Sequence, residues 1–587
     1  MHRLILTFAL LAPVPLGAQI VAPPVTTPAQ RTADTRFGTI ANAEYAWRKT
    51  LRPSGQEARA RDHLPDIGPA AQATARARWT ATLAQLDALD PARLSPATRV
   101  DYRLYRQQIE TLLASQRFRD DEMPVNADTS FWTELAGMAR DTLRTEADYR
   151  HYIARLTDMP RYIDQQIANM RAGAARGFTA PRVTLIGREV GIAQVVAAGA
   201  GDASPYYAPF RTMPAIIPAA TQAELRTAAK RAIAQDVVPA HRTLLDFWRR
   251  DYFPRTRTTI AAYDLPDGKA YYASKIREYV TRDLTPDQIH AIGLDEVAKI
   301  HAQMVEAMRA AGWQGDFASF LAFLRTDPQF YVKTPQALLD RAAWIAKTFD
   351  GKASQYFGHL PRSRFAIEPV PPELAPFWTA GRGGPGIYYV NTYDLASRPL
   401  YSLPALTLHE SAPGHAFQIP LAAELDDLPE YRRDNYISAY GEGWALYCEI
   451  LGDEMGMYET PYERFGMLSY QMWRAARLVV DTGIHARGWT RAQGQRYFRD
   501  NTALSRHEIE TEVDRYISWP GQALSYYMGE LTFRAGRAKA EQALGAKFDI
   551  RAFHDTMLST GSVTLPLLDE RVDRFIADGG KGPYPLK

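Results

Sequence analysis

Apolar side chains recur at three- and four-residue intervals along most of this chain, and that period commits it to helices. The clearest stretches run from Ala70 to Leu113 and from Thr145 to Met170. Thr285-Pro286-Asp287 sets an N-cap, a first-turn proline and an acid ahead of an amphipathic run to about Ala311. Further helices are expected over 336–350, 439–456, 462–487 and 491–499. Strand-like material is scarce, and its clearest piece is Gly386 to Tyr393, β-branched and aromatic and bounded by Gly383-Gly384-Pro385. The expected fold class is mainly α with one small β-sheet. The Pro/Gly-rich 363–386 segment is the best candidate boundary, but it runs straight into the residues that carry the chemistry and reads as internal.

Cys448 is the only cysteine among 587 residues, so no internal disulfide and no thiolate metal site can form. Stability must come from burial, which 46% apolar residues supply. A net charge of +3, with no Lys/Arg run interleaved with aromatics, gives nucleic-acid binding no support. Met1-His2-Arg3, the apolar run Leu4 to Leu11 and the small-residue site Leu16-Gly17-Ala18 read as a cleaved signal peptide over residues 1–18. Residues 19–35, with Pro23, Pro24, Thr26, Thr27 and Pro28, read as a disordered leader. No stretch approaches the roughly 20 apolar residues of a membrane helix, and no cysteine near the cleavage point offers a lipid anchor. The expectation is a soluble periplasmic protein without integral membrane contact.

The chemistry concentrates in His409-Glu410-Ser411-Ala412-Pro413-Gly414-His415. Zinc hydrolases need two neutral imidazoles, a third protein ligand, and a carboxylate beside an open position to take a proton from water. A His-Glu pair followed by a second His supplies three of these; in the common form the two His lie four apart on one face. Here they lie six apart, which on a straight helix turns them roughly 240° away from each other. Pro413 removes a backbone donor and Gly414 permits unusual dihedrals, so a kink or bulge between the two His is expected. An unbroken helix through Pro413-Gly414 would forbid a shared metal.

A third ligand is expected on a second helix. Tyr440-Gly441-Glu442-Gly443-Trp444-Ala445-Leu446-Tyr447 offers Glu442 on an apolar surface, where an ionised carboxylate is costly unless paired or metal-bound. Glu449, two turns on and on roughly the same face, is its competitor, with a supporting or ion-pairing role as the alternative.

Together these two segments resemble the bacterial DUF885 family, which looks like zinc metallopeptidases of the gluzincin type, related to the angiotensin-converting-enzyme, thimet-oligopeptidase and carboxypeptidase Taq folds. Gly173–Arg182, Leu284–Ile300, Pro385–Asp394, Val480–Trp489 and Glu512–Gly529 extend the resemblance over most of residues 36–580. It implies a two-lobed helical shell around a deep cleft with the zinc helix on its floor. That is one domain over 36–587, with an N-terminal lobe over about 36–260 and a catalytic lobe over about 261–587.

Five supporting residues follow. Arg477, Asp481 and His485 fall at four-residue steps, either as a solvated stripe or with Asp481 orienting a neighbour and His485 lining the cleft. Tyr526 is the candidate oxyanion donor, a role phenols fill in the related folds, against the alternative of a core tyrosine. Arg515 is placed to bind a peptide carboxylate. The strand from Gly386 to Tyr393 is either the edge along which an extended substrate pairs or a plain core strand.

The expected function is therefore an exported metallopeptidase acting on short peptides. His409, His415 and Glu442 would hold Zn²⁺, and Glu410 would serve as general base. A zinc hydrolase of non-peptide amides or esters, or a catalytically silent binding protein, are the alternatives.

Overall fold

The computed structural model describes residues 26–53, 55–372 and 374–584, so the expected signal peptide lies outside the described residues. The chain is mainly α-helical, with one three-stranded sheet. Of the expected leader 19–35, residues 19–25 lie outside the described residues, and residues 28–35 are not disordered, since a helix runs from Pro28 to Leu51. Thr27 and Gln30 close a capping box there, and Pro28 at the first turn fixes φ, which outweighs the polar composition. The periodic stretch from Ala70 to Leu113 is two helices, Pro69–Asp87 and Pro96–Phe118. Asp90-Pro91 and Ser95-Pro96 make the break, since each sets a capping side chain ahead of a proline.

Three apolar cores organise the helices. A small one joins Phe37, Trp79 and Tyr105 of the first helices and reaches Tyr431. A second lies within residues 64–252 around the helix Glu146–Ala175. The largest gathers most apolar side chains from Ala262 to Phe575. At its centre runs Pro461–Arg487, buried almost throughout and packed against Pro286–Ala310. Arg477, Asp481 and His485 lie on this helix at 1%, 0% and 0% exposure, so the solvated-stripe reading is wrong.

The sheet has the order β1-β3-β2, with β1 Ala366–Pro369, β2 Gly381–Gly384 and β3 Ile387–Val390. β1 pairs parallel and β2 antiparallel to β3. Of the two readings of the strand within Gly386–Tyr393, the core one holds: β3 is the central strand, with Tyr388 and Val390 buried. The edge beside the cavity belongs to β2, which three glycines kept from reading as a strand.

Candidate metal centre

The segment that carries the two histidines is broken where the proline and glycine fall. One helix covers Leu403–Glu410 and the next His415–Ala423. Ser411 N still closes on Thr407 O, and Gly414 N reaches back to Leu408 O at 3.0 Å. A Cβ on Gly414 would lie 1.8 Å from the His409 carbonyl oxygen, so only glycine lets the chain turn this tightly. The Pro413 carbonyl accepts from Trp444 Nε1 at 2.8 Å, which ties the turn to the helix Ser438–Glu454.

The break brings the imidazoles together. Their ring centroids are 5.0 Å apart at 85°, and His409, Glu410 and His415 each present a ligand atom within 4.8 Å of the others. Glu442 Oε2 faces both rings, 3.5 Å from His409 Nε2 and 3.2 Å from His415 Nε2. Ligand atoms on one tetrahedral ion, with bonds of about 2.0–2.2 Å, stand roughly 3.3–3.5 Å apart. The three atoms therefore fit a small tetrahedral cation of the kind that takes nitrogen and oxygen ligands.

Glu449 sits behind this set. Its Oε1 accepts from His409 Nδ1 at 2.8 Å, leaving Nε2 as the nitrogen turned to Glu442 and His415. Glu442 and Glu449 thus lie on opposite nitrogens of the His409 ring, Glu442 on the side of His415 and Glu449 behind it. Burial alone would push the His409 imidazole down, but bonds to Glu442 and Glu449, with Glu410 nearby, hold it up at about 9. Burial would raise the Glu442 carboxyl, and His415 and His409 outweigh it, keeping it well below the usual carboxylate range. Each group favours charge on its partner, as imidazoles and carboxylates packed together do.

Glu410 is 9% exposed, and its Oε2 accepts from Gly383 N of β2 at 2.6 Å. A Cβ on Gly383 would lie 1.8 Å from the Glu410 carbonyl oxygen, so the strand reaches the helix end only because this residue is glycine.

A cavity of about 700 Å³ opens over these residues, lined also by Tyr526, Arg515, Arg477 and Arg382. Tyr45, Arg48 and Gln108 from the first helices also line it. The Tyr526 ring lies parallel to His409 at 16° with centroids 6.3 Å apart. Arg515 Nη2 donates to Tyr526 Oη at 3.0 Å and to Gln522 at 2.8 Å. Occupying a lone pair of that oxygen leaves the phenol proton to be given elsewhere.

His485, expected to line the cleft, does not. Its Nδ1 accepts from Ala262 N and its Nε2 donates to Tyr516 O, both at 2.9 Å, and burial pushes the imidazole down to about 3. It is a neutral tie between three segments of the core. Asp481 accepts from Tyr272 Oη and from Gly521 N, so it holds the turn leading to Tyr526.

Two residues at the site escaped the sequence reading. Tyr436 lines the cavity at 46% exposure with its hydroxyl interacting with Glu442, and Arg474 lies 3.6 Å from Glu449. Tyr436 belongs to the turn before the Glu442 helix, where no spacing rule points. Arg474 is three residues before Arg477, so the helical neighbour rule was the available signal.

The family model described as "Bacterial protein of unknown function (DUF885)" matches residues 52–572. The chain belongs to this family. Among solved structures, this DUF885 chain is similar to "the putative lipoprotein from Colwellia psychrerythraea", at 26% identity and a TM-score of 0.84 over 94% of this chain and 100% of the other. It is also similar in fold to "a putative lipoprotein of unknown function from Shewanella oneidensis", at 17% identity and a TM-score of 0.68 over 91% and 99%. No curated protein matches it. No helix among the described residues of this DUF885 protein is long and apolar enough to cross a membrane.

Proposed function

We propose that this protein is an exported zinc-dependent peptidase acting on short peptides, with His409, His415 and Glu442 as metal ligands and Glu410 as general base. The observation that carries the reading is the convergence of His409 Nε2, His415 Nε2 and Glu442 Oε2 beside a carboxylate that is no part of that trio. A pure binding site has no use for that fourth group. The kinship with gluzincin-type peptidases is part of this proposal, as is export, which the signal-like N-terminus and the lipoprotein descriptions of both solved relatives favour.

When bound, zinc supplies a Lewis acid that makes water acidic near neutral pH and polarises a carbonyl. The remaining work falls to side chains. Glu410, with Oε2 held by Gly383 N, takes the proton of the attacking water on a carboxylate oxygen and returns it to the leaving amine. Tyr526 Oη donates to the oxygen of the carbonyl under attack, with Arg515 holding the phenol in place. Glu449 keeps the His409 ring in one tautomer. The β2 edge along the cavity favours an extended peptide over a compact ester or amide, since a peptide main chain can pair with it.

The test is metal content of the purified chain together with peptide hydrolysis by it and by Glu410→Gln. Roughly one zinc per chain in both proteins, with hydrolysis lost only in the variant, is the expected result. An active variant or a metal-free native protein removes the assignment.

A further inference from the structure

The helix Arg506–Ser518 borders two cavities. Arg515 lines the one over His409, while Thr511 and Asp514 line another of about 360 Å³. No residue lines both. Arg188 reaches the second cavity from a tight turn. Arg188 N closes on Leu185 O at 3.2 Å, with Ile186 at φ −62° and ψ 126° and Gly187 at φ 78°. These are the angles of a type II turn, whose third position wants glycine.

Arg188 is 5% exposed, and its guanidinium has no ion pair or hydrogen bond among the described residues. Only its Nε is sealed from solvent; Nη1 and Nη2 keep accessible surface where the side chain lines the cavity. Phe377 covers the guanidinium, with its ring centroid 4.5 Å from Cζ. Burial pushes the group down to about 10, and the Asp128 charge that opposes this belongs to an ion pair with Arg382 at 3.0 Å. A guanidinium so buried is costly with its donors unused, and the partner that matches its planar fork is an oxyanion.

The rest of the lining selects among oxyanions. Asp514 is bound to Arg491 at 3.0 Å and Glu510 to Arg506 at 2.7 Å, so the charge left over is the single one on Arg188. Two carboxylates on the wall repel a dianion more than a monoanion. Val183, Pro376, Phe377 and Ile186, the last at 67% exposure, add apolar surface. The volume is at the small end of the range of about 300–1,000 Å³ for ligand sites.

We propose that the Arg188 cavity is a second ligand site, separate from the candidate metal centre, that takes a small monocarboxylate with an apolar body. The site does not depend on the peptidase reading. A free amino acid and a simple carboxylic acid present the same oxygens, and the test separates these two sources.

The full chain is titrated by calorimetry with isocaproate, isocaproamide, L-leucine and inorganic phosphate. Isocaproate should bind at least about tenfold more tightly than its amide or phosphate. Arg188→Gln should abolish the preference for acid over amide. Ile186→Glu, at an exposed position, should fold normally and weaken isocaproate by about tenfold, so it decides if Arg188→Gln does not fold. Neither residue lines the cavity over His409, so a preference that survives these substitutions overturns the site. Absent binding, or equal affinity for acid and amide, also overturns it. Phosphate binding as tightly as isocaproate overturns the monocarboxylate assignment. With the site upheld, leucine binding more tightly than isocaproate makes the ligand an amino acid, and weaker binding makes it a simple acid.

Discussion

Glu449 Oε1 stands 2.8 Å from His409 Nδ1, and the two residues are 0% and 1% exposed. A carboxylate with so little water around it is held by what it touches, and here the contact is the imidazole whose other nitrogen faces Glu442. The pair fixes which ring nitrogen carries the proton and aims the other at Glu442. Removing the carboxylate should therefore loosen the metal without touching a ligand. Glu449→Ala is expected to weaken zinc binding by about 10–100-fold, and Glu449→Gln, which can still accept from Nδ1, by less. Competition against a chromogenic chelator measures both, and unchanged affinity in the alanine variant would show that the pair is only structural.

Much of this was legible in the sequence because the chemistry needs rare residues at short range. That His409, Glu410 and His415 come together could be read from one heptapeptide, and the break between them from Pro413-Gly414, since six-residue spacing demands a bend. The helix starts at Thr145 and Thr285 were also legible locally, the first from its apolar period and the second from an N-cap ahead of a proline; each closes a capping box. What failed was long-range. A four-residue stripe shows that Arg477, Asp481 and His485 share a face, but not that every face of that helix is buried. Gly381–Gly384 lacks the residues that favour strands, and it is a strand because β3 pairs with it and Glu410 needs its N–H. Tyr436 is placed by the turn before the Glu442 helix, which no periodicity encodes.

Gly383 and Gly384 are neighbours in one strand with opposite tolerances. A Cβ on Gly383 would sit 1.8 Å from the Glu410 carbonyl oxygen, whereas one on Gly384 meets nothing within 4 Å. Gly383→Ala must push the strand away from the base, and hydrolysis should fall by about tenfold or more, in line with about 1–3 kcal/mol for forced overpacking. Gly384→Ala should change stability and activity by no more than about 0.5 kcal/mol. Parallel kinetics and thermal melts of the two variants check the contrast, and equal losses would mean that Gly383 does not position Glu410.

Asp481 gives the core a pH dependence of known sign. Burial pushes its carboxyl up to about 7, against the hydrogen bonds from Tyr272 and Gly521 that pull it down. In the unfolded chain it titrates near 3.9. Between those values the folded protein holds a proton that the unfolded chain releases, so this contribution is full below about pH 4 and is lost as pH rises through 7. His485 opposes it: its folded value of about 3 lies below the unfolded 6.5, so its contribution is present above 6.5 and lost as pH falls towards 3. Asp481→Asn should be less stable than the native protein at pH 5, and the gap should narrow by pH 8, by an amount on the order of a few kcal/mol at most. Urea unfolding at both pH values reads the gap, and one that stays constant contradicts the assignment.

Tyr526 and His485, both proposed for the site from sequence, should part company on mutation. Tyr526 lines the cavity and offers its hydroxyl proton, while Arg515 keeps its bond to Gln522 if that hydroxyl is removed. Tyr526→Phe should therefore fold normally and lose about 10²–10³-fold in kcat, the loss typical of one oxyanion donor. His485 satisfies Ala262 N and Tyr516 O inside the core. His485→Ala leaves both unpaired beside a cavity and should cost about 2–5 kcal/mol of stability. Whatever fraction remains folded should keep its KM, because no substrate atom reaches that ring. Active-site titration with a tight-binding inhibitor gives the folded fraction, so kcat per folded site can be compared directly. A Tyr526→Phe enzyme with native kcat would transfer the donor role to Tyr436, a cavity phenol beside Glu442.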